Sequence, residues 1–145
     1  FAEPGLALTA DAMCFASPIV SIKKVNGELI AMCDANKYNV RPEGSSRNLP
    51  VSIIKPHRNK PDSGPCKYIV TGNTCMENDV LHSALEGNLS IGDFVVFNNV
   101  GSYTFNLVPP FIQQSPPIFR IAEGGAISVL KKAGGYEHIF SLYNT

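Results

Sequence analysis

The sequence predicts a mainly β domain of short strands and tight turns, entered through one helix and closed as a barrel or sandwich. Three features predict it. Short runs rich in β-branched and aromatic residues recur along the chain, such as Ile19-Val20-Ser21-Ile22 and Phe94-Val95-Val96-Phe97. Turn signals separate them, above all Asn26-Gly27. Hydrophobic residues make up 44% of the 145 residues and charged residues 17%, which describes a buried core rather than a disordered chain.

The elements follow in order. Residues 6–16 (LALTADAMCFA) are alanine-rich and free of Gly and Pro, which predicts the helix. Pro18 and the run at 19–22 predict a strand, Asn26-Gly27 a hairpin turn, and residues 28–34 (ELIAMCD) the returning strand. Residues 39–50 read as a loop, 51–54 as a short strand and 55–65 (KPHRNKPDSGP) as a second loop. Residues 66–71 (CKYIVT) alternate and read as a strand, whereas 78–85 suit a short helical turn. After the buried strand at 94–97, two more strands are expected at 117–122 and 126–131 around Gly124-Gly125, and a last one at 137–142.

Composition excludes several classes. Twelve basic and twelve acidic side chains leave no net charge, so nothing draws in nucleic acid or an anionic membrane over long range. The one basic cluster, Lys55, His57, Arg58 and Lys60, is interleaved with proline and reads as a solvated loop. No apolar run approaches the roughly 20 residues of a membrane span. No signal peptide is visible, and Phe1-Ala2-Glu3-Pro4 reads like the interior of a longer protein. Cys14, Cys33, Cys66 and Cys75 form no Cys-x-x-Cys pair, which argues against a zinc or dithiol site. Free thiols in a reducing cytoplasm are the simplest reading, with two disulfides left open by counting. His57, His82 and His138 lack metal-ligand spacing, and no nucleophile elbow or P-loop is present.

Three polar turns can carry chemistry. Glu3-Pro4-Gly5 sets a carboxylate and a glycine beside the start of a helix, where a phosphate can approach the main chain. Gly72-Asn73-Thr74-Cys75 presents a thiol just after a strand end. Asn98-Asn99-Val100-Gly101-Ser102-Tyr103 presents a phenol. Each has a plain structural reading: a simple turn, an inert cysteine, a core aromatic.

Together and in this order, the three turns resemble those of the ornithine and diaminopimelate decarboxylase family. Glu3-Pro4-Gly5-Leu6 resembles its Glu-Pro-Gly-Arg, and residues 72–79 (GNTCMEND) its Gly-x-x-Cys-x-x-x-Asp. Residues 92–104 resemble its Gly-Asp…Phe-x-Asn-x-Gly-Ala-Tyr-Thr, with Ser102 for Ala, and residues 34–42 (DANKYNVRP) are a weaker match. The resemblance implies an N-terminal (β/α)8 barrel holding pyridoxal 5'-phosphate, joined to a C-terminal β domain of the alanine racemase and ornithine decarboxylase type. Residues 1–17 would be the last strand-helix unit of that barrel and 18–145 the β domain.

The resemblance also implies roles. Glu3 would pair with the pyridinium nitrogen, Gly5 would let the main chain approach the phosphate, and Tyr103 would donate to a phosphate oxygen. Cys75 would reach into a partner subunit's site and protonate the substrate carbon after CO2 leaves, as a neutral thiol can. Asp34 and Arg41 would line the substrate pocket, Arg41 forking onto a carboxylate. A cytoplasmic homodimer with shared active sites, an upstream barrel and an amino-acid substrate are implied. The barrel's Schiff-base lysine matches no position here, so residues 1–145 alone are expected to be inactive.

Two departures bear on function. Leu6 stands where the family has arginine, which removes a charge-assisted bond to the cofactor. Met76 stands where ornithine- and diaminopimelate-type members carry an acid for a distal amine, with Glu77 one place on as a partial substitute. The substrate is therefore expected to be an amino acid other than ornithine, lysine or diaminopimelate. An amino-acid racemase and a non-catalytic, inhibitor-like relative of the same fold are the competing readings.

Overall fold

The computed structural model describes residues 5–42, 44, 47–56, 64–104, 106–141 and 143. Glu3 and the basic residues His57, Arg58 and Lys60 lie outside them. The chain divides into two compact units, Phe1–Val108 and Pro109–Thr145.

The first unit opens with helix α1 (Gly5–Thr9) and one 3-10 turn (Ala10–Ala12). Its body is one curled six-stranded sheet in the order β3-β6-β1-β2-β4-β5. The strands are β1 (Cys14–Val25), β2 (Glu28–Cys33), β3 (Val51–Ile54), β4 (Cys66–Thr71), β5 (Val80–Gly87) and β6 (Phe94–Asn98). A single-turn helix, α2 (Lys37–Val40), follows β2. Only the β2–β4 pair is parallel among these strands.

β1 organises the sheet because it serves two partners. Cys14 to Pro18 pair with β6, and Ile19 to Val25 pair with β2. The exchange falls at Pro18, which lacks an N–H to donate, and is followed by an irregularity between Ile19 and Ser21. The expected helix over 6–16 therefore stops at Thr9. Residues 14–17 are instead the first third of this long strand, and pairing with β6 overrides the alanine-rich local preference. The Asn26-Gly27 hairpin forms as its sequence predicts, with φ of 50° and 88° at the two turn residues.

The helical turn expected near 78–85 is strand β5. Val80, Leu81, Ala84 and Leu85 have helical spacing, but two register shifts against β4 produce it. Val70 faces His82 while Thr71 faces Val80, so Leu81 is an extra residue, and both Leu81 and His82 turn inward. The core gathers Ile19, Ala31, Cys33, Val70, Leu81, Val95 and Phe97, all at or below 1% exposure. Burying a Val, Leu, Ile or Phe side chain among them contributes about 1.5–3 kcal/mol.

The second unit is a two-stranded hairpin, β7 (Ile118–Ile121) and β8 (Ile127–Lys131), then helix α3 (Tyr136–Phe140). Gly125 takes a φ of 79° in the hairpin turn. The final strand expected at 137–142 is the α3 helix; Tyr136, Ile139, Phe140 and Tyr143 have the helical i, i+3, i+4, i+7 spacing. Lys131 Nζ donates to Ser115 Oγ at 2.7 Å, holding the end of β8 to the entering segment.

Candidate functional site

Two features of the first unit gather the residues singled out in the sequence. The first is an open cleft of about 1080 Å³, lined by Gly5, Leu6, Ala7, Asp11, Arg47, Asn48, Asn99, Ser102 and Tyr103 among others. A methyl group built on Gly5 would sit 3.5 Å from Tyr103 Oη, so the phenol points at the bare main chain where α1 begins.

This proximity is engineered by the seam between α1 and the turn after β6. Gly101 N–H donates to Ala10 O at 2.9 Å and Val100 N–H to Met13 O at 3.1 Å. The Thr9 and Ser102 hydroxyls share a hydrogen bond of 2.9 Å. Gly101 is required here for space rather than for φ, since a Cβ would overlap the Thr9 carbonyl oxygen. Tyr103 itself has a φ of 65°, a left-handed conformation that a bulky residue adopts at a cost on the order of 1 kcal/mol. The residue is 45% exposed, so core packing does not repay that strain. Strain in an exposed aromatic residue beside a cleft makes Tyr103 a candidate functional position.

The second feature is the turn carrying Cys75. Gly72 N–H donates to Asp79 O at 2.8 Å, closing the turn as β4 ends and β5 begins. Cys75 is exposed on it, Met76 is half-buried and Glu77 exposed. Asn73 ties the turn to the segment after β2: its N–H donates to Ala35 O at 2.9 Å and its Nδ2 to Asp34 Oδ1 at 2.9 Å. Asp34 and Cys75 thus belong to one assembly of loops.

Arg41 lies on the loop after α2. It is buried, and its guanidinium donates to the main-chain carbonyls of Arg47 and, at 2.9 Å, Val80. These bonds hold the loop after α2 against β5. It also bears on His82. Burial, then the Arg41 charge, lowers the His82 pKa, and Nδ1 accepts the Ala84 N–H at 3.2 Å. His82 is thus a neutral packing residue of β5.

All four cysteines are unpaired. Burial, reinforced by the neighbouring Asp34 carboxylate, pushes the Cys33 thiol up to about 12, so it is an inert part of the core. Cys14 and Cys75 are the two exposed thiols, and Cys75 alone lies in a polar turn. Among the described residues no group of three or more His, Cys, Asp or Glu can hold a metal, and no helix is long and apolar enough to cross a membrane.

Sequence reasoning named Gly5, Cys75 and Tyr103 but passed over Asp79, whose carboxylate receives three donors in the Cys75 turn. The signal was present, since Asp79 closes the Gly-x-x-Cys-x-x-x-Asp pattern. Arg47, on the wall of the cleft, carried no sequence signal.

The chain is similar to known proteins. Residues 8–101 match the family described as "Pyridoxal-dependent decarboxylase, C-terminal sheet domain". Diaminopimelate decarboxylase of Buchnera aphidicola subsp. Schizaphis graminum is 30% identical over 112 residues, covering 70% of this chain and 27% of that protein. A crystal structure of diaminopimelate decarboxylase from Helicobacter pylori, complexed with L-lysine, superposes with a TM-score of 0.81 at 19% identity, over 97% of this chain and 34% of that one. The arginine decarboxylase of Paramecium bursaria Chlorella virus, bound to agmatine, gives a TM-score of 0.62 at 20% identity, over 74% and 30%. The chain therefore spans about a third or less of the length of these relatives. The family match covers well over half of the 145 residues, so the chain belongs to the pyridoxal-dependent decarboxylase family, as its C-terminal sheet domain.

Proposed function

We propose that this chain supplies the C-terminal part of the active site of an amino-acid decarboxylase, working with an upstream barrel and a second copy of itself. Pyridoxal phosphate is the cofactor of the family. The observation that carries the proposal is the approach of Tyr103 Oη to the bare main chain at Gly5 inside one cleft. A hydroxyl donor facing a main chain without a Cβ suits a phosphate, and about 1080 Å³ accommodates a cofactor-sized molecule.

Bound pyridoxal phosphate supplies an electron sink for the pair released as CO2 departs. This chain's residues do the rest. Gly5 admits the phosphate and Tyr103 donates its hydroxyl to a phosphate oxygen. Glu3 holds the ring nitrogen protonated. Cys75 extends from its exposed turn to the neighbouring copy's site and delivers a proton to the substrate carbon. Asp34, Met76 and Glu77 border the substrate. The four unpaired thiols suit a reducing cytoplasm.

Met76 sets the substrate class. A thioether beside Cys75 cannot bind a distal ammonium as a carboxylate does, so the substrate is an amino acid other than ornithine, lysine or diaminopimelate. The full-length protein with pyridoxal phosphate, assayed for CO2 and amine on an amino-acid panel, tests both points. Turnover of a different amino acid is expected. Fast turnover of ornithine or diaminopimelate contradicts the substrate class, and an inverted amino acid without amine indicates a racemase.

Leu6 favours a second reading. It lines the cleft beside Gly5 where a cation would help hold a phosphate. A non-catalytic relative would retain the fold, bind no pyridoxal phosphate and release CO2 from none of the panel.

A further inference from the structure

We infer that Asp79 is the positioning residue for the Cys75 thiol, fastening the turn that carries it to the segment that carries Asp34. The inference rests on the reading of Cys75 as proton donor.

Asp79 is 3% exposed. Its Oδ1 accepts the N–H of Lys37, the first residue of α2, at 2.7 Å. Its Oδ2 accepts the N–H of Thr74 at 3.1 Å and also the Thr74 hydroxyl. Thr74 immediately precedes Cys75. The main chain of Asp79 closes the turn from the other side, its N–H donating to Met76 O at 3.0 Å and its carbonyl accepting from Gly72 N–H at 2.8 Å. A single buried side chain thus bonds both residue 74 and the start of the helix that follows Asp34.

Both carboxylate oxygens face donors. Only an acceptor at each end satisfies them, and an amide would turn an NH2 group toward one set. There is also little freedom in the size of the group. A Cβ on Gly72 would overlap Asp79 Oδ2 and lie 2.5 Å from Ala35 O, so the turn is packed directly on the carboxylate. The Cys75 side chain itself is exposed and lies on a turn, where nothing else in this unit is needed to bury it. A group that must reach a reacting carbon loses about 100-fold for a displacement on the order of 1 Å. The Asp79 bonds remove that freedom before substrate arrives.

The test is a double-mutant cycle in the full-length protein with Asp79→Asn, Cys75→Ala and the pair. Asp79→Asn is expected to lower kcat by about 10-fold or more with KM little changed. In the Cys75→Ala background it should cost almost nothing further, because its effect passes through the thiol. Thr74→Ser, which keeps the hydroxyl, should retain turnover, and Thr74→Val should lower it. Amide exchange gives a readout independent of turnover: Asp79→Asn should accelerate exchange at Thr74 and Lys37 and leave β1 and β6 protected. An unchanged kcat in Asp79→Asn, or a loss that adds fully to that of Cys75→Ala, overturns the inference. If Cys75→Ala alone keeps full turnover, the reading of the thiol as donor fails first, and the inference falls with it.

Discussion

On the proposed reading, replacing Cys75 with alanine is expected to lower turnover by the full-length protein by about 100- to 10,000-fold, the usual contribution of a positioned proton donor. Two structural facts separate this loss from misfolding. Cys75 is exposed and outside the core, so its removal should change stability by less than about 0.5 kcal/mol. The turn is held by the Asp79 carboxylate and Asn73, none of whose bonds involves the thiol. Substrate binding should persist, so the loss should fall on kcat rather than KM. Cys14→Ala is the matched control: an exposed thiol on a strand, expected to keep full activity. Single-turnover kinetics on the two variants checks this. Equal rates for Cys75→Ala and wild type would remove the proton-donor role.

The second large effect concerns Gly101→Ala. The added methyl group would overlap the Thr9 carbonyl oxygen and lie 3.1 Å from Ala10 O. Both neighbours are main-chain atoms, so no side-chain rotation relieves the overlap, and the backbones of α1 and the Tyr103 turn must separate. The cost is about 3 kcal/mol, the upper end for overpacking, and on the order of 10 °C in melting temperature. Separation also pulls Tyr103 from Gly5, so cofactor affinity should fall with stability. Thr9→Val removes the hydroxyl's bonds to Ser102 and to Gly5 O and keeps the Gly101 contact; it should cost only about 1–2 kcal/mol. Thermal melts with and without pyridoxal phosphate compare the variants. Full stability in Gly101→Ala would show that the two segments are not in contact.

Much of the fold was legible because local chemistry and tertiary pairing agree. Asn26-Gly27 demands the hairpin that forms, and the alternation of residues 66–71 gives β4. Where they disagree, pattern misleads. The helical spacing in β5 comes from extra residues at two register shifts, which only the partner strand reveals. The α1 boundary depends on β6, some 80 residues away in the chain, capturing residues 14–18. The site divides in the same way. Cys75 and Tyr103 stood out because thiols and phenols in polar turns are chemically conspicuous. The meeting of Gly5 with Tyr103 is a long-range contact, and the spacing of residues carries no trace of it without the family resemblance. Arg41 stood out as a functional cation by type alone, whereas its bonds to the Arg47 and Val80 carbonyls are set by how the loop after α2 folds back on β5.

The central claim is that the cleft between Gly5 and Tyr103 holds the cofactor phosphate. Titration of the full-length apoprotein and its Tyr103→Phe variant with pyridoxal phosphate, followed by the cofactor's absorbance, tests it most directly. Loss of one hydroxyl bond to a charged phosphate should raise Kd at least about 10-fold while the apoprotein's melting temperature stays unchanged. Equal affinity in the two proteins would mean that the phosphate binds elsewhere.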